Sequence, residues 1–185
     1  MSARTPLAHR ASPNALLRAA LLLGCLLVVF GPGAHGVAAS AAWNAQPHPL
    51  DSLFVVRQTS ANSCGPAALA TLSTWLGEPR SEAELVALTA LGPAGISLSE
   101  FARLAHHIGL AGTWYRVTAS QLNLVPTPFV AHLESSSEQG HLVAVADVSY
   151  GYVAVADPAE GARALALSSF ADRFSGRVFV LNQLP

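Results

Sequence analysis

The sequence predicts one α+β domain, because helical spacing dominates the first half of the chain and the period of two typical of strands dominates the second half. Helices are predicted over residues 64–76, 81–89 and 97–107. Strands are predicted over 53–56, 113–117, 129–133, 141–148, 152–156, 163–167 and 178–181, with one helical turn at 118–124 and a brief helix at 169–174. Helices that precede a run of short strands favour helices packed on one antiparallel sheet.

Local end signals support the three predicted helices. Leucines recur at helical spacing in the first, and Asn62 or Ser63 is expected to cap its N-terminus. Ser81 and Ser97 each have a glutamate three residues later, which is the capping-box pattern at the start of a helix.

A tight hairpin is predicted between the strands 141–148 and 152–156. The connecting residues Ser149-Tyr150-Gly151 include a glycine, which tolerates the positive φ of short hairpin turns. The two strands should therefore pair antiparallel.

The N-terminus has the pattern of a secretory signal peptide. Arginines at positions 4, 10 and 18 precede an apolar run, and small residues continue through residue 42. The run is shorter than the ~20 residues of a membrane-spanning helix. We expect a signal peptide at 1–41, a leader at 42–52, a domain at 53–185, and export to the periplasm or beyond the cell. A permanent anchor and lipidation at Cys25 are the disfavoured alternatives, and no stable span is expected after cleavage.

Composition excludes several classes of protein. Of 185 residues, 51% are hydrophobic and 11% charged, which argues against a mainly disordered chain. Without residues 1–41 the charge is 7 arginines minus 11 acids, or −4, so a nucleic-acid surface is disfavoured. Neither metal-ligand spacing nor a phosphate-binding glycine loop is evident, so no cofactor or metal is expected. The oligomeric state stays open.

Cys64 is the candidate nucleophile. It would be the one cysteine left after removal of the signal peptide, and it stands where a loop turns into a helix. The positive end of the helix dipole favours the thiolate, the nucleophilic form. A cysteine nucleophile also needs a base, a group that orients the base, and donors for an oxyanion.

His141 and Asp157 are the candidates for the base and its orienting acid. The histidines at 48, 106, 107 and 132 are interpreted as solvated, helix-terminal or packed, whereas His141 begins a strand after a polar loop. With the turn near residue 150, position 141 lies opposite 158 or 159, close to Asp157. Asp147 lies near the turn, ~20 Å further along at the rise of a strand.

Gln58 is the candidate oxyanion donor. Its amide lies six residues before Cys64 and could act together with the backbone N–H at the start of the helix. The walls of the cleft are expected from loops around 91–97, 112–116 and 134–140.

These residues resemble a known family. The segment Arg57-Gln58…Ser63-Cys64-Gly65-Pro66-Ala67-Ala68-Leu69 resembles the cysteine box of the double-glycine (bacteriocin-processing) cysteine peptidases, which are papain-like. Later blocks follow in the same order: Gly95-Ile96-Ser97-Leu98, Pro128 to Leu133, Gly140 to Val145, Ala156-Asp157-Pro158 and Phe170…Gly176. The similarity covers residues 53–181. It implies a papain-like fold, with Cys64 as nucleophile, His141 as general base and acid, Asp157 as orienting acid and Gln58 as oxyanion donor.

The chain departs from the family pattern at two positions. Ser63 stands where members usually carry aspartate, and Leu142 stands where an aromatic often follows the histidine. The best-known members trim leaders after Gly-Gly at peptide-exporting ABC transporters. No transporter segment is found in this sequence, so the double-glycine substrate is not carried over.

The sequence favours an exported cysteine peptidase that acts through a thioester on another exported protein or peptide. Two alternatives stay open: a peptidase-like module that binds peptides without cutting them, and an acyltransferase that uses the same residues.

Overall fold

The computed structural model of the protein describes residues 50, 52–135 and 140–182. The expected signal peptide and nearly all of the leader, residues 1–49 and 51, lie outside the described residues. The elements are α1 (Cys64–Trp75), α2 (Glu82–Ala87), α3 (Leu98–His107), β1 (Gly112–Arg116), a 3₁₀ helix (Ala119–Leu124), β2 (Phe129–Leu133), β3 (His141–Ser149), β4 (Tyr152–Asp157), β5 (Gly161–Ala166), α4 (Leu167–Ala171) and β6 (Phe174–Leu181). None of the described helices is long and apolar enough to cross a membrane.

The six strands form one antiparallel sheet with the order β1-β6-β2-β3-β4-β5. Side chains of β2 alternate between its two faces. Val130 packs in a core with α1, α2 and α3, whereas Phe129 and Ala131 pack in a second core with Leu122 of the 3₁₀ helix and Phe170 of α4. The predicted α+β class is confirmed.

The β3–β4 hairpin has the predicted register. Tyr150 and Gly151 at its turn both have positive φ, 50° and 77°, which matches the two-residue turns that suit the twist of a hairpin. Ala144 pairs with Ala156, so continuing the register places His141 level with residue 159. The start of β3 and the end of β4 therefore lie at the same edge of the sheet.

Two strand predictions were wrong in detail. Residues 53–56 do not join the sheet: the Val56 N–H donates instead to Thr71 Oγ1 at 2.9 Å. β6 begins at Phe174 rather than residue 178, because its early residues pair with β2, as Leu133 does with Phe174. In both places a long-range partner, and not local composition, determines the backbone.

Candidate active site

Cys64 is the first residue of α1 and packs beside the start of β3. The turn Gly65-Pro66 follows it, where backbone N–H groups have no partner within the helix and proline therefore loses nothing. A Cβ added at Gly65 would lie 2.9 Å from Ile96 and 3.4 Å from Leu142. The glycine thus allows the N-terminal end of α1 to approach both neighbours closely.

His141 is held by Asp157. The ring atom Nε2 lies 2.7 Å from Asp157 Oδ1, and the two side chains are only 15% and 7% exposed. The same carboxylate oxygen accepts from the backbone N–H groups of Ala159 at 2.8 Å and Glu160 at 3.2 Å. The turn after β4 therefore orients the acid, and the acid orients the imidazole.

Cys64 lies beside His141 in this cluster. Both residues line the same cleft, and each shifts the pKa of the other. Because Nε2 faces Asp157, Nδ1 is the ring nitrogen that remains for the thiol. The structure thus brings together three of the four residues selected from the sequence.

Electrostatics in this cluster favour a thiolate–imidazolium pair. Burial raises the pKa of Cys64, but the hydrogen bond to His141, the N–H groups of Leu142 and Gly65 and the charge of His141 together bring that pKa below its ordinary value. Burial lowers the pKa of His141, yet the hydrogen bonds and charges of Asp157 and Cys64 raise it to about 9. At neutral pH His141 therefore carries a proton.

Asp157 carries a negative charge in this arrangement. Burial raises the pKa of Asp157, but the hydrogen bond and charge of His141, the Ala159 N–H and the charge of Arg173 bring it below its ordinary value. The acid is accordingly an acceptor for the imidazolium at neutral pH.

Gln58 lies near this cluster, but its side chain is not bonded to it. Its backbone N–H donates to Pro158 O at 3.0 Å, which ties Gln58 to the turn after Asp157. Its Nε2 donates to Ser60 O at 2.7 Å, and its Oε1 is buried with no hydrogen-bond partner within the described chain. A side-chain amide has two N–H hydrogens, so one stays available for a substrate.

The capping prediction for α1 was wrong. Ser63 occupies the N-cap position, but its hydroxyl makes no capping bond and donates instead to Glu82 Oε1 at 2.5 Å. Asn62 donates to Gly92 O at 2.7 Å. Both side chains thus tie the loop before Cys64 to neighbouring segments.

An open cleft of about 580 Å³ lies at Cys64 and His141. Its walls combine the loop before α1, the segment that leads into α3 and the edge of β2 and β3: Ala61, Asn62, Cys64, Gly65, Ala94, Gly95, Ile96, Ser97, Leu98, Glu100, His132, Gly140, His141 and Leu142. Of the expected wall segments, 91–97 contributes its residues 94–97 and 134–140 contributes Gly140, whereas residues 136–139 lie outside the described part. The expectation for 112–116 was wrong, since those residues form β1 at the far edge of the sheet.

His132, expected from the sequence to be a packed histidine, lines the cleft. Its Nδ1 lies 2.7 Å from Ser175 Oγ. Burial lowers the pKa of His132, and the charges of Arg177 and His141 lower it further. His132 pairs with Leu142 across β2 and β3. An antiparallel pairing of these two strands was therefore the sequence signal that would have placed His132 beside the start of β3, where His141 lies.

No group of three or more His, Cys, Asp or Glu side chains that could hold a metal occurs within 52–135 and 140–182.

Residues 52–184 match the peptidase C39 family. The chain belongs to this family. The family assignment makes the protein a cysteine peptidase. The resemblance seen in the sequence is thereby confirmed.

Two relatives are similar in sequence to most of this chain. An uncharacterised protein of Methanothermobacter marburgensis is 33% identical over 134 residues, which cover 72% of this chain and 92% of that protein. The Probable functional amyloid protease FapD of Pseudomonas aeruginosa is 32% identical over 135 residues, which cover 69% of this chain but 59% of FapD.

Solved structures agree with the fold. The peptidase domain of Streptococcus ComA, a bi-functional ABC transporter, has a TM-score of 0.65 at 20% identity, over 70% of this chain and 97% of that domain. A double glycine motif protease from an AMS/PCAT transporter, in complex with its leader peptide, has a TM-score of 0.63 at 21% identity, over 69% of this chain and 89% of the other. The papain-like fold is therefore confirmed.

Proposed function

We propose that this peptidase cleaves peptide bonds with Cys64 as nucleophile, His141 as general base and acid, and Asp157 as the orienting acid. The observation that carries the proposal is that Cys64 and His141 line one cleft, with the His141 ring held 2.7 Å from Asp157 and the pKa values of Cys64 and His141 shifted by each other. A buried ion pair at the mouth of a cleft is the arrangement that a thiol nucleophile requires.

In the first half of the reaction, the Cys64 thiolate adds to the carbonyl carbon of the scissile peptide. The resulting oxyanion is stabilised by the Cys64 N–H at the start of α1 and by the free N–H of the Gln58 amide. The proton on His141 Nδ1 then passes to the leaving nitrogen as the C–N bond breaks. The products are a free amine, a thioester on Cys64 and a neutral His141.

In the second half, neutral His141 takes a proton from water as the water oxygen adds to the thioester. The C–S bond breaks, the acyl group leaves as a carboxylic acid, and the thiolate–imidazolium pair is restored. Asp157 keeps its charge throughout, because its role is to hold the ring and stabilise the imidazolium.

The substrate that we propose is another exported protein or peptide, met outside the cytoplasm. The signal-peptide pattern at residues 1–41 supports export. FapD, a relative at 32% identity, is named as a functional amyloid protease, and that name is compatible with a protein substrate here. The open cleft suits an extended segment of chain.

The decisive experiment compares the N-termini of exported proteins by mass spectrometry from wild type and a Cys64→Ala strain. We expect at least one new N-terminus that is present in wild type and absent from the variant. His141→Ala should reproduce the loss, whereas His107→Ala should not, because His107 is an exposed histidine at the end of α3.

The purified protein gives a second test. Wild type should become labelled at Cys64 by a thiol-directed acyl probe. A folded wild type that never labels would contradict the proposal and favour a peptide-binding module. A product joined to an added amine, in place of a free carboxylic acid, would favour acyl transfer.

A further inference from the structure

Glu82 is a buried carboxylate that the proposed mechanism leaves without a role. It is the first residue of α2 and is 5% exposed. Its Oε1 accepts the Thr59 N–H at 2.8 Å and the Ser63 hydroxyl at 2.5 Å. Both contacts reach out of α2 into the loop 59–63.

The two groups that bind Glu82 adjoin the residues of the proposed reaction. Thr59 follows Gln58 directly, and Ser63 precedes Cys64 directly. One carboxylate oxygen thus fastens both ends of the loop that separates the proposed oxyanion donor from the nucleophile. The loop cannot open at either end without breaking a hydrogen bond to a charged group, which is stronger than a neutral one.

Further contacts make Ser63 a rigid part of this arrangement. Its side chain is fully buried, and its Oγ accepts the Ser60 N–H at 3.2 Å. The hydroxyl has a single hydrogen, and the charged Glu82 is a nearer acceptor than Ser60 O, which lies 3.0 Å away. That hydrogen therefore goes to the carboxylate.

The helix α2 does not need Glu82 for its own N-terminus. Ser81 and Glu84 already form a reciprocal capping box there. Burial raises the pKa of Glu82, but the Ser63 hydroxyl and Thr59 bring it below the ordinary value, so the group is charged at neutral pH. A buried charge is costly unless it is well hydrogen-bonded, and here both bonds go to the loop beside Cys64.

We propose that Glu82 is a positioning residue, which holds the loop 59–63 so that the Gln58 amide keeps its place relative to Cys64 and can bind the oxyanion. This inference rests on the proposed function. Glu82 acts through Gln58 in the transition state and leaves the intrinsic reactivity of the Cys64 sulfur alone.

Two small probes separate these effects. With p-nitrophenyl acetate, the thiolate adds to the acetyl carbon and forms an oxyanion; the C–O bond then breaks, releasing p-nitrophenolate and leaving an acetyl thioester on Cys64. With iodoacetamide, the thiolate displaces iodide in one step without an oxyanion. Loss of the oxyanion donor should slow the first reaction only.

We expect Glu82→Ala to slow acylation by p-nitrophenyl acetate roughly 10²-fold, the usual effect of misplacing a reacting group by about 1 Å. Alkylation by iodoacetamide should stay within about 3-fold, because the thiolate is unchanged. Glu82→Gln should retain most of the acylation rate, since its amide oxygen can accept both hydrogen bonds. Glu84→Ala is the matched control on α2, and both of its rates should match wild type.

A double-variant cycle tests whether the effect passes through Gln58. In a Gln58→Ala background, Glu82→Ala should slow acylation little further, because coupled residues are not additive. Should Glu82→Ala not fold, Ser63→Ala, which removes one of the two hydrogen bonds, supports the same comparison.

Distinct results overturn the two proposals. If wild type is acylated and Glu82→Ala or Ser63→Ala is acylated equally fast, the positioning role is wrong. If Glu82→Ala slows acylation and alkylation to the same extent, the positioning role is also refuted. It is refuted as well if the effects of Gln58→Ala and Glu82→Ala on the acylation rate multiply in the double variant. If wild type itself releases no p-nitrophenolate, the proposed function fails and the role of Glu82 fails with it.

Discussion

Asp157 is the most informative residue to change, because its two roles can be removed one at a time. Its Oδ1 accepts hydrogen bonds from His141, Ala159 and Glu160. In Asp157→Asn the amide oxygen can accept all three, so the orientation of the imidazole is kept and the charge is lost. In Asp157→Ala both the charge and the orientation are lost.

The pKa of His141 sets the size of the expected effect. Its rise from 6.5 to about 9 corresponds to roughly 3 kcal/mol in favour of the imidazolium. The ring is 15% exposed, so solvent screens this interaction only in part. At pH 7 His141 is about 99% protonated; at its ordinary pKa the fraction would be about 24%.

Loss of Asp157 should therefore raise the pH at which Cys64 becomes a thiolate, because a neutral His141 no longer stabilises it. We expect a smaller upward shift in Asp157→Asn than in Asp157→Ala. The rate of peptide cleavage should fall roughly 10³-fold in Asp157→Ala, within the range for a disabled general acid–base, and less, roughly 10-fold, in Asp157→Asn, where the imidazole stays oriented.

The thiolate can be titrated directly by the rate of iodoacetamide alkylation across the pH range, measured by intact mass spectrometry. Asp147→Asn is the matched control, since Asp147 lies on β3 near the hairpin turn and bonds Ser149. If wild type and Asp157→Ala titrate at the same pH, or if Asp147→Asn shifts the titration as far, our account of the ion pair is wrong.

Three further predictions follow from the same contacts. Cys64→Ser should expose a pH dependence of the unfolding free energy. In wild type, the lowered pKa of Cys64 and the raised pKa of His141 change stability with pH in opposite directions, so they offset each other in part. In the variant, the unfolded state releases the His141 proton as pH rises above 6.5 while the folded state keeps it, so stability should fall by up to about 1.4 kcal/mol per pH unit in urea titrations; a flat curve would count against the raised pKa. Gly65→Ala should lower peptide cleavage, because the new Cβ meets Ile96 at 2.9 Å, and adding Ile96→Ala should restore it; a fully active single variant would show that the contact is unimportant. Phe101→Ala should destabilise the fold by about 3–5 kcal/mol in chemical denaturation, because Phe101 is fully buried; a loss below about 1 kcal/mol would mean that the core refills the cavity.

Elements with signals inside their own segment were predicted well from the sequence. The capping boxes at Ser81 and Ser97 begin α2 and α3 as expected. The β3–β4 hairpin was also predictable, because a short turn fixes its register and hence the meeting of His141 with the end of β4.

Features that depend on distant partners were not predictable in this way. Residues 53–56 have the composition of a strand but lie outside the sheet, and Ser63 bonds Glu82 rather than capping α1. The place of His132 in the cleft was missed for the same reason. Each outcome depends on which segment packs alongside, and local propensity contains no information about that neighbour.

The sequence by itself determined the local setting of each group: a cysteine at the start of a helix, and a histidine and an aspartate at the same end of a hairpin. Only the tertiary structure decided that α1 lies against β3, so that Cys64 lies beside His141 and the two shift each other's pKa. It also decided that Glu82 holds the loop beside Cys64. The physical reason is that burial, hydrogen bonding and Coulomb energy depend on distances in space. In the chain, Ser63 and Glu82 are 19 positions apart, and Cys64 and His141 are 77 positions apart.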